Sequence, residues 1–180
     1  AARLNRLTAD LLALGSGSID SGDTTDLLTA VNDAVTAPQI DRRIAVDVQL
    51  DGYMQAPMVP LGMDPLRRVL DNLLANAVRY AKANVRVVIS LLSTTGPESV
   101  SVTVEDDGPG IPLDMHERVF ERFVRLDRSR DRATGGSGLG LAIVRTLVTD
   151  AGGSVYIDRQ SLLGGAAVTI VLPVTAASEN

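Results

Sequence analysis

The sequence contains no cysteine and only one histidine, His116. Disulfide bonds and thiolate metal sites are therefore excluded, and a single histidine cannot supply the ligands of a conventional zinc site. The chain also has no apolar run of about 18 residues that could span a bilayer, and no signal peptide opens it. These absences fit a reducing compartment, and we expect a cytoplasmic location.

Positive charge is also in short supply, with a formal net charge of −5. This balance argues against a general nucleic-acid binder, because such proteins attract phosphate with clustered lysine and arginine. The basic residues that do cluster, between Arg122 and Arg132, must then act locally. The 180 residues are enough for one well-buried domain. Because the chain starts with Ala1 and Ala2 rather than methionine, we expect a piece excised from a longer protein.

An amphipathic helix is predicted at the amino end, over residues 1–15. Its leucines recur at three- and four-residue steps, at Leu4, Leu7, Leu11 and Leu14. The helix either packs on its own domain or is one helix of a bundle, in which case excision from the longer protein leaves it exposed. Residues 16–23 have the composition of a linker, which favours the bundle.

Helix and strand patterns follow in turn. Thr24 or Thr25 can cap a helix that runs to about Ala37. The segment IAVDVQL alternates like a half-buried strand, and APMVPL is typical of a second, short strand. Asp64 followed by Pro65 predicts the cap and first position of a helix that extends to about residue 82.

This last helix has two distinct faces. At 100° per residue, one arc is apolar and contains Leu66, Leu70, Leu73, Leu74, Ala77 and Ala81. A second arc collects Asn72, Asn76, Arg79 and Tyr80. Asparagine competes with its own backbone for hydrogen bonds and is more often found in caps and turns, so two of them one helical turn apart indicate a function.

The remaining patterns complete an α+β architecture. Strands near 84–92 and 99–106 are predicted to form an antiparallel hairpin, and a helix should run from about Gly138 to Asp150. The segments GGSVYID and AAVTIVLP indicate a closing strand pair. We therefore expect a two-layer α/β sandwich, with helices on one face of a mixed, mostly antiparallel sheet.

Two glycine-rich stretches lie between these elements. In VEDDGPGIP, a strand ends at Asp106 and turns through Gly108 and Gly110. In GGSGLGLAIV, glycines lead into a helix, where free N–H groups and the helix dipole favour an anion. Each stretch alone is more often a turn or a cap than a ligand site. Neither matches the P-loop or the dinucleotide-binding fingerprint.

Their combination and order, however, resemble the catalytic ATP-binding domain of sensor histidine kinases, of the GHKL superfamily with the Bergerat fold. DNLLANAVRY resembles the N box of that family, DDGPG its first glycine box, FERF its F box and GSGLGL its second glycine box. The resemblance covers roughly residues 24–174, so that we expect a catalytic domain at 24–176 and a tail at 177–180. Residues 1–15 are similar to the end of the second helix of the family's dimerisation and phosphoacceptor hairpin.

The resemblance implies ATP and Mg²⁺ as cofactors and a role for each polar residue. Asn76 matches the Mg²⁺ ligand and Asn72 can support it. Arg79 should face phosphate and Tyr80 the adenine, and Asp106 matches the carboxylate that accepts a hydrogen bond from the adenine amino group. The full set of implied nucleotide contacts is Asn72, Asn76, Arg79, Tyr80, Asp106, Gly108, Gly110, Ile111, Gly136, Gly138, Leu139, Gly140 and Leu141.

Three features depart from the family or leave alternatives open. Asp107 stands where the family more often has asparagine, and its charge either weakens ATP binding or faces water. The polar segment 124–137 is interpreted as a mobile lid. Its arginines, Arg128, Arg130 and Arg132, are either a solvated charge run or groups that stabilise phosphoryl transfer. His116 is followed by Glu117, but it lies outside any bundle helix and is interpreted as a surface or half-buried residue.

The function that the resemblance implies is that of a histidine protein kinase domain. It would bind Mg-ATP and donate the γ-phosphate to a histidine on a dimerisation domain, for relay to a response regulator receiver domain. The intact kinase would be a membrane-anchored homodimer, and this chain alone a monomer or weakly associated, unable to autophosphorylate. Alternatives are a GHKL ATPase, a nucleotide-binding regulatory module or an anti-sigma-type serine kinase. Asn72 stands where the ATPases carry a catalytic glutamate, which favours a kinase.

Overall fold

The computed structural model describes residues 23–37, 41, 43–52, 56–92, 98–126, 137–159 and 161–175. The predicted helix at 1–15, the linker up to residue 22, the tail 177–180 and most of the predicted lid lie outside the described residues. Within them, no helix is long and apolar enough to cross a membrane.

Three helices and seven strands make up the described elements. In chain order they are β1 Thr25–Asp26, α1 Leu27–Val35, β2 Ala45–Asp51, β3 Met58–Val59, α2 Met63–Tyr80, β4 Asn84–Leu92, β5 Ser99–Asp106, α3 Gly140–Asp150, β6 Ser154–Ile157 and β7 Ala167–Pro173. Two short 3₁₀ turns, Leu113–Met115 and Arg118–Phe120, flank His116.

Five strands form one sheet in the order β2-β4-β5-β7-β6. Only β2 and β4 pair in parallel, and the other neighbours are antiparallel. The inward residues of the central strands are buried against the helices, and they include Val85, Val87, Ile89, Val100, Val102, Val104, Ile170 and Leu172. The predicted two-layer α/β sandwich is therefore confirmed, as are the bounds of β4 and β5.

The long helix α2 is the centre of the helical layer and packs against both α1 and α3. Its apolar arc is buried as predicted, from Leu66 to Ala77, and only Ala81, just beyond the helix, is half-exposed. Because the apolar arc is packed against the sheet and the neighbouring helices, the orientation of the polar arc of α2 is fixed as well.

Two expectations about where helices begin were wrong. Asp26, rather than Thr24 or Thr25, caps α1, with Oδ1 accepting from Leu28 N–H at 2.9 Å. The chain before Asp26 is held in β1 by pairing with β3, so the helix begins later. Helix α2 begins at Met63 without a side-chain cap, so Asp64 lies in its first turn. The helix dipole still stabilises a carboxylate at this position.

Strand β2 is also more exposed than its alternating pattern predicts. Val48 is 39% exposed and Leu50 is 51% exposed. The reason is position: β2 lies at one edge of the sheet, and the helices pack over β4, β5, β7 and β6 instead. A period of two indicates a strand with two unlike faces, but it does not say how far the helical layer extends.

Candidate nucleotide site

The candidate site is built around the polar arc of α2. Asn72 and Asn76 are half-buried on this arc, and Tyr80 at the end of the helix is 38% exposed. The guanidinium of Arg79 lies 5.3 Å from the centre of the Tyr80 ring, which is a cation–π distance. The helix thus presents two amides, a cation and an aromatic ring along its exposed side.

The first glycine stretch closes one end of this arc. A Cβ added to Gly108 would overlap the carbonyl oxygen of Tyr80 and would lie 2.7 Å from Oδ1 of Asp106. Only glycine therefore lets the turn after β5 approach the end of α2 this closely. Gly110, with a φ of 76°, also adopts a backbone conformation that favours glycine. The contact brings Asp106 and Tyr80, which are far apart in sequence, to one place.

Asp106 itself is almost fully buried, with 4% of its surface exposed. One carboxylate oxygen, Oδ1, accepts hydrogen bonds from the N–H groups of Gly108 at 2.8 Å and Ala166 at 3.3 Å. Desolvation raises the pKa of this carboxyl above its usual range, the two backbone hydrogen bonds partly oppose that rise, and the nearby charge of Asp107 adds to it. The second oxygen, Oδ2, makes no hydrogen bond to the described residues and is left to accept one from a ligand.

The second glycine stretch closes the other end of the arc. Gly140 begins α3, and a Cβ added to it would lie 2.8 Å from Oδ1 of Asn72. The N-cap of α3, Leu139, offers no side-chain hydrogen bond, although its own N–H donates to Ser137 Oγ at 3.3 Å. The first N–H groups of α3 therefore remain available to an anion.

The two asparagines of α2 are not equivalent. Asn72 uses its amide nitrogen internally, donating to the carbonyl of Arg68 at 2.8 Å. Asn76 makes no side-chain hydrogen bond to the described residues, so its amide oxygen is free to act as a ligand. No group of three or more histidine, cysteine or acidic residues suited to a metal occurs in the described part of the chain. An ion bound here would depend on Asn76, water and a ligand's own oxygens, a set that fits Mg²⁺.

The two glycine stretches thus lie against the polar arc of α2, at Tyr80 and at Asn72. Gly138, Leu139, Gly140 and Leu141 lie at the start of α3, and Ile111 follows the first glycine turn. Phe123 N–H donates to the carbonyl of Gly138 at 2.8 Å, which joins the FERF segment to the second glycine stretch. Gly136, Arg128, Arg130 and Arg132 lie outside the described residues.

Asp107 has a role that neither sequence alternative anticipates. Its carboxylate accepts hydrogen bonds from the backbone N–H groups of Lys82, Ala83 and Asn84 and from the Asn84 side chain, at 2.7 to 3.2 Å. Partial desolvation opposes ionisation, but these hydrogen bonds outweigh it and hold the pKa of Asp107 well below its usual range. The side chain therefore ties the chain between α2 and β4 to the first glycine turn.

Replacing Asp107 with alanine should lower the melting temperature, because four donors lose their acceptor. The pKa of this carboxyl is lower in the folded than in the unfolded protein. Its contribution to stability is therefore complete above the pKa of the unfolded state and is lost as the pH falls toward the pKa of the folded state. The gap in melting temperature between the unmodified chain and Asp107→Ala should therefore narrow in acid. Asp107→Asn keeps one acceptor oxygen and should lie between them. A gap that is independent of pH would contradict this role.

His116 is half-buried, as expected. Its ring nitrogen Nε2 lies 3.0 Å from the carbonyl oxygen of Ile111, to which an Nε2–H donates. Two contacts close to Asp106 were missed from the sequence. Ala166 N–H binds its carboxylate, and Gly165 packs directly against it. The glycine pair at 164 and 165, just before the last strand, was the available sign of such a close approach.

Known proteins with similar sequences are sensor kinases. The chain is 43% identical over 134 residues to the sensor protein RstB of Escherichia coli, covering 74% of this chain and 29% of that protein. It is 36% identical over 178 residues to the sensor histidine kinase RppB of Synechocystis, covering 96% of this chain and 38% of that protein. The chain thus spans less than two fifths of the length of these relatives.

Solved structures agree. A mycobacterial sensor histidine kinase, MprB, matches with a TM-score of 0.68 and 29% identity, over 86% of this chain and 99% of that one. The ATP binding domain of PrrB from Mycobacterium tuberculosis matches with a TM-score of 0.65 and 27% identity, over 87% of this chain and all of that one (100%). Both fold and site therefore define a catalytic domain of the histidine kinase type.

Family assignment follows from the match over residues 63–176, which run from the first residue of α2 to just beyond the last strand. The chain belongs to the family described as histidine kinase-, DNA gyrase B-, and HSP90-like ATPases. The predicted resemblance is confirmed, and with it the use of ATP.

Proposed function

We propose that this chain binds Mg-ATP and donates the γ-phosphate to a histidine of a dimerisation domain, from which the phosphoryl group passes to a response regulator. The observation that carries the proposal is Asp106. It is a buried carboxylate with one oxygen held by backbone N–H groups and the other left for a ligand. An ionised acceptor in this position selects a base with an amino group, which adenine has and guanine lacks at that position.

Magnesium would bind at Asn76. Its uncommitted amide oxygen, with the phosphates and water, would supply the oxygen ligands that this ion prefers. When bound, Mg²⁺ neutralises charge that develops on the phosphates during transfer. Asn72 lies directly beside Gly140 at the start of α3, which places the first N–H groups of that helix next to the proposed ion site.

The proposal favours transfer over hydrolysis for a chemical reason. Asn72 lies one helical turn before Asn76, in the place where related ATPases carry a glutamate that activates water. An amide cannot accept a proton at neutral pH, and the Asn72 amide nitrogen is already bonded to the Arg68 carbonyl. The γ-phosphate is therefore retained for a protein acceptor.

The chain should bind Mg-ATP yet fail to label itself with γ-labelled ATP. In the proposed reaction the acceptor histidine lies on another domain, which a linker holds at high effective concentration. A histidine-bearing dimerisation hairpin from a related kinase, added in trans, should acquire slow label that is acid-labile and base-stable, as phosphohistidine is. Free phosphate, measured in parallel, should form more slowly than in a gyrase-type ATPase.

The matched control is His116→Gln, because Gln can replace the hydrogen bond to Ile111 but not the nucleophile. We expect it to leave trans labelling unchanged. Acid-labile label on the isolated chain that disappears in His116→Gln would show that the acceptor is His116 and would refute the proposed division of labour. Rapid phosphate release without transfer would favour an ATPase.

A further inference from the structure

A buried ion pair lies on the opposite face of the sheet from Asp106. Arg86 of β4 and Glu105 of β5 are cross-strand neighbours, and Nη2 of the Arg86 guanidinium lies 2.9 Å from Oε2 of Glu105. The two side chains are 15% and 7% exposed. Glu105 directly precedes Asp106, so the two carboxylates point to opposite faces of the sheet.

The same carboxylate oxygen of Glu105 also holds the loop that precedes β7. Oε2 accepts hydrogen bonds from Ser161 Oγ at 3.2 Å and from Leu162 N–H at 3.1 Å. We call residues 161–166 the return loop, because it begins at Glu105 on the outer face and ends beside Asp106. At its far end, Ala166 N–H donates to Asp106 Oδ1 at 3.3 Å and Ala166 O accepts from Asp106 N–H at 2.9 Å.

The return loop lies so close to Asp106 that it cannot move toward the carboxylate. A Cβ added to Gly165 would overlap the carbonyl oxygen and Oδ1 of Asp106 and the backbone nitrogen of Gly108. A shift of this loop therefore either presses on the carboxylate or removes one of its two hydrogen bonds. The orientation of Asp106 depends on where the return loop is held.

The hydrogen-bonding capacity of Arg86 is not fully used, which is unexpected for a residue that serves only stability. Its Nε is buried and has no hydrogen-bond partner among the described residues. Burying two charges costs desolvation energy, and such pairs are often no more stabilising than apolar side chains of similar volume. The contacts to Ser161 and Leu162 give the Glu105 carboxylate a second use.

We propose that Glu105, paired with Arg86, is a positioning residue for base recognition. It anchors the return loop, and the loop in turn fixes the carboxylate of Asp106 toward the adenine amino group. This inference rests on the proposed function, since it assigns Glu105 to the selectivity of the same nucleotide site. Glu105 itself does not contact the nucleotide.

The test compares ATP with inosine triphosphate, which carries an oxo group in place of the 6-amino group. The double variant Arg86→Met/Glu105→Leu removes both hydrogen bonds that anchor the return loop, those from Ser161 and Leu162. It leaves no charge buried without its partner. Its preference for ATP over inosine triphosphate, measured by calorimetric titration, should fall about tenfold, because the misplaced carboxylate makes a poorer hydrogen bond. Ser161→Ala removes one anchor without altering β5 and should lower the preference by a smaller factor.

Two controls separate positioning from stability. Ile89→Ala truncates a buried residue of the same strand, β4, and should lower the melting temperature without changing the preference. In an Asp106→Asn background, the double variant should have no further effect on the preference, because the group that it positions is already absent. A merely structural pair would not depend on Asp106 in this way.

The outcomes are distinct. The inference is supported if the double variant lowers the preference for ATP in the unmodified chain but has no effect on it in the Asp106→Asn background. If the double variant and Ser161→Ala keep the full preference and lose only thermal stability, as Ile89→Ala does, the inference is overturned while the proposed function stands. If the unmodified chain binds neither nucleotide, the proposed function fails and the inference falls with it.

Discussion

Replacing Asn76 with alanine should remove most of the Mg²⁺ dependence of ATP binding while leaving the fold intact. Asn76 is half-buried on the polar arc of α2, away from the packed residues Leu73, Leu74 and Ala77. Alanine is the best helix former, so the helix itself should not suffer. The amide oxygen, in contrast, is the protein ligand that we assign to the ion.

The measurement is calorimetric titration of ATP with and without Mg²⁺. The ratio of the two affinities reports the coupling between ion and nucleotide, commonly ~1–3 kcal/mol for linked ligands, and it should fall close to unity in Asn76→Ala. Asn32→Ala is the matched control, because Asn32 is an exposed asparagine in the separate helix α1. It should leave the ratio unchanged. Full Mg²⁺ dependence in Asn76→Ala would show that the ion is held elsewhere.

Replacing Asp106 with alanine should weaken ATP binding by about 1.5–3 kcal/mol, the scale of a hydrogen bond to a charged group. The preference for ATP over GTP should fall with it, because we assign the distinction between the two bases to this carboxylate. Binding of both nucleotides to the unmodified and variant chains measures the effect. Equal affinity of the unmodified chain for ATP and GTP would refute the assignment of Asp106 directly.

Asp106→Asn separates this role from folding. The amide can still accept the hydrogen bond from Gly108 N–H, so the turn should persist, whereas the ionised acceptor is lost. Because desolvation raises the pKa of Asp106 in the folded protein, its stabilising contribution is present below the unfolded pKa and is lost as the pH rises through the folded one. At neutral pH Asp106→Asn should therefore be at least as stable as the unmodified chain, yet bind ATP more weakly.

Undiminished stability together with weaker ATP binding in Asp106→Asn would show that the carboxylate serves recognition and destabilises the fold. A buried carboxylate that carries charge at neutral pH is unfavourable for folding and favourable for recognition. If Asp106→Asn proved much less stable at neutral pH, the carboxylate would be mainly a structural residue of the glycine turn. Thermal unfolding of the two proteins across the pH range decides between these outcomes.

Periodicity alone predicted the elements that carry most of the site. The 3.6-residue repeat of leucines identified α2 and its two faces, and alternating residues identified β4 and β5 with the bounds that the structure has. These patterns are local, because each records only which side of one helix or strand meets the core. The order of the glycine stretches then indicated the family.

Contacts between residues far apart in sequence were not predictable in this way. Asp107 binds backbone donors 23 to 25 residues away, and Asp106 accepts from Ala166 across 60 residues. Neither partner is marked by a pattern, because a backbone N–H is present at every residue except proline. The sequence could indicate that Asp107 departs from its family but not what its carboxylate does.

By itself, then, the sequence determined the class of fold, the helix that bears the two asparagines and the carboxylate at the end of β5. Tertiary structure decided which asparagine is committed to the backbone, where β2 lies relative to the helical layer, and how the return loop reaches Asp106. The physical reason is that hydrophobic periodicity is set residue by residue, whereas the partner of a buried polar group depends on which distant backbone the sheet brings beside it.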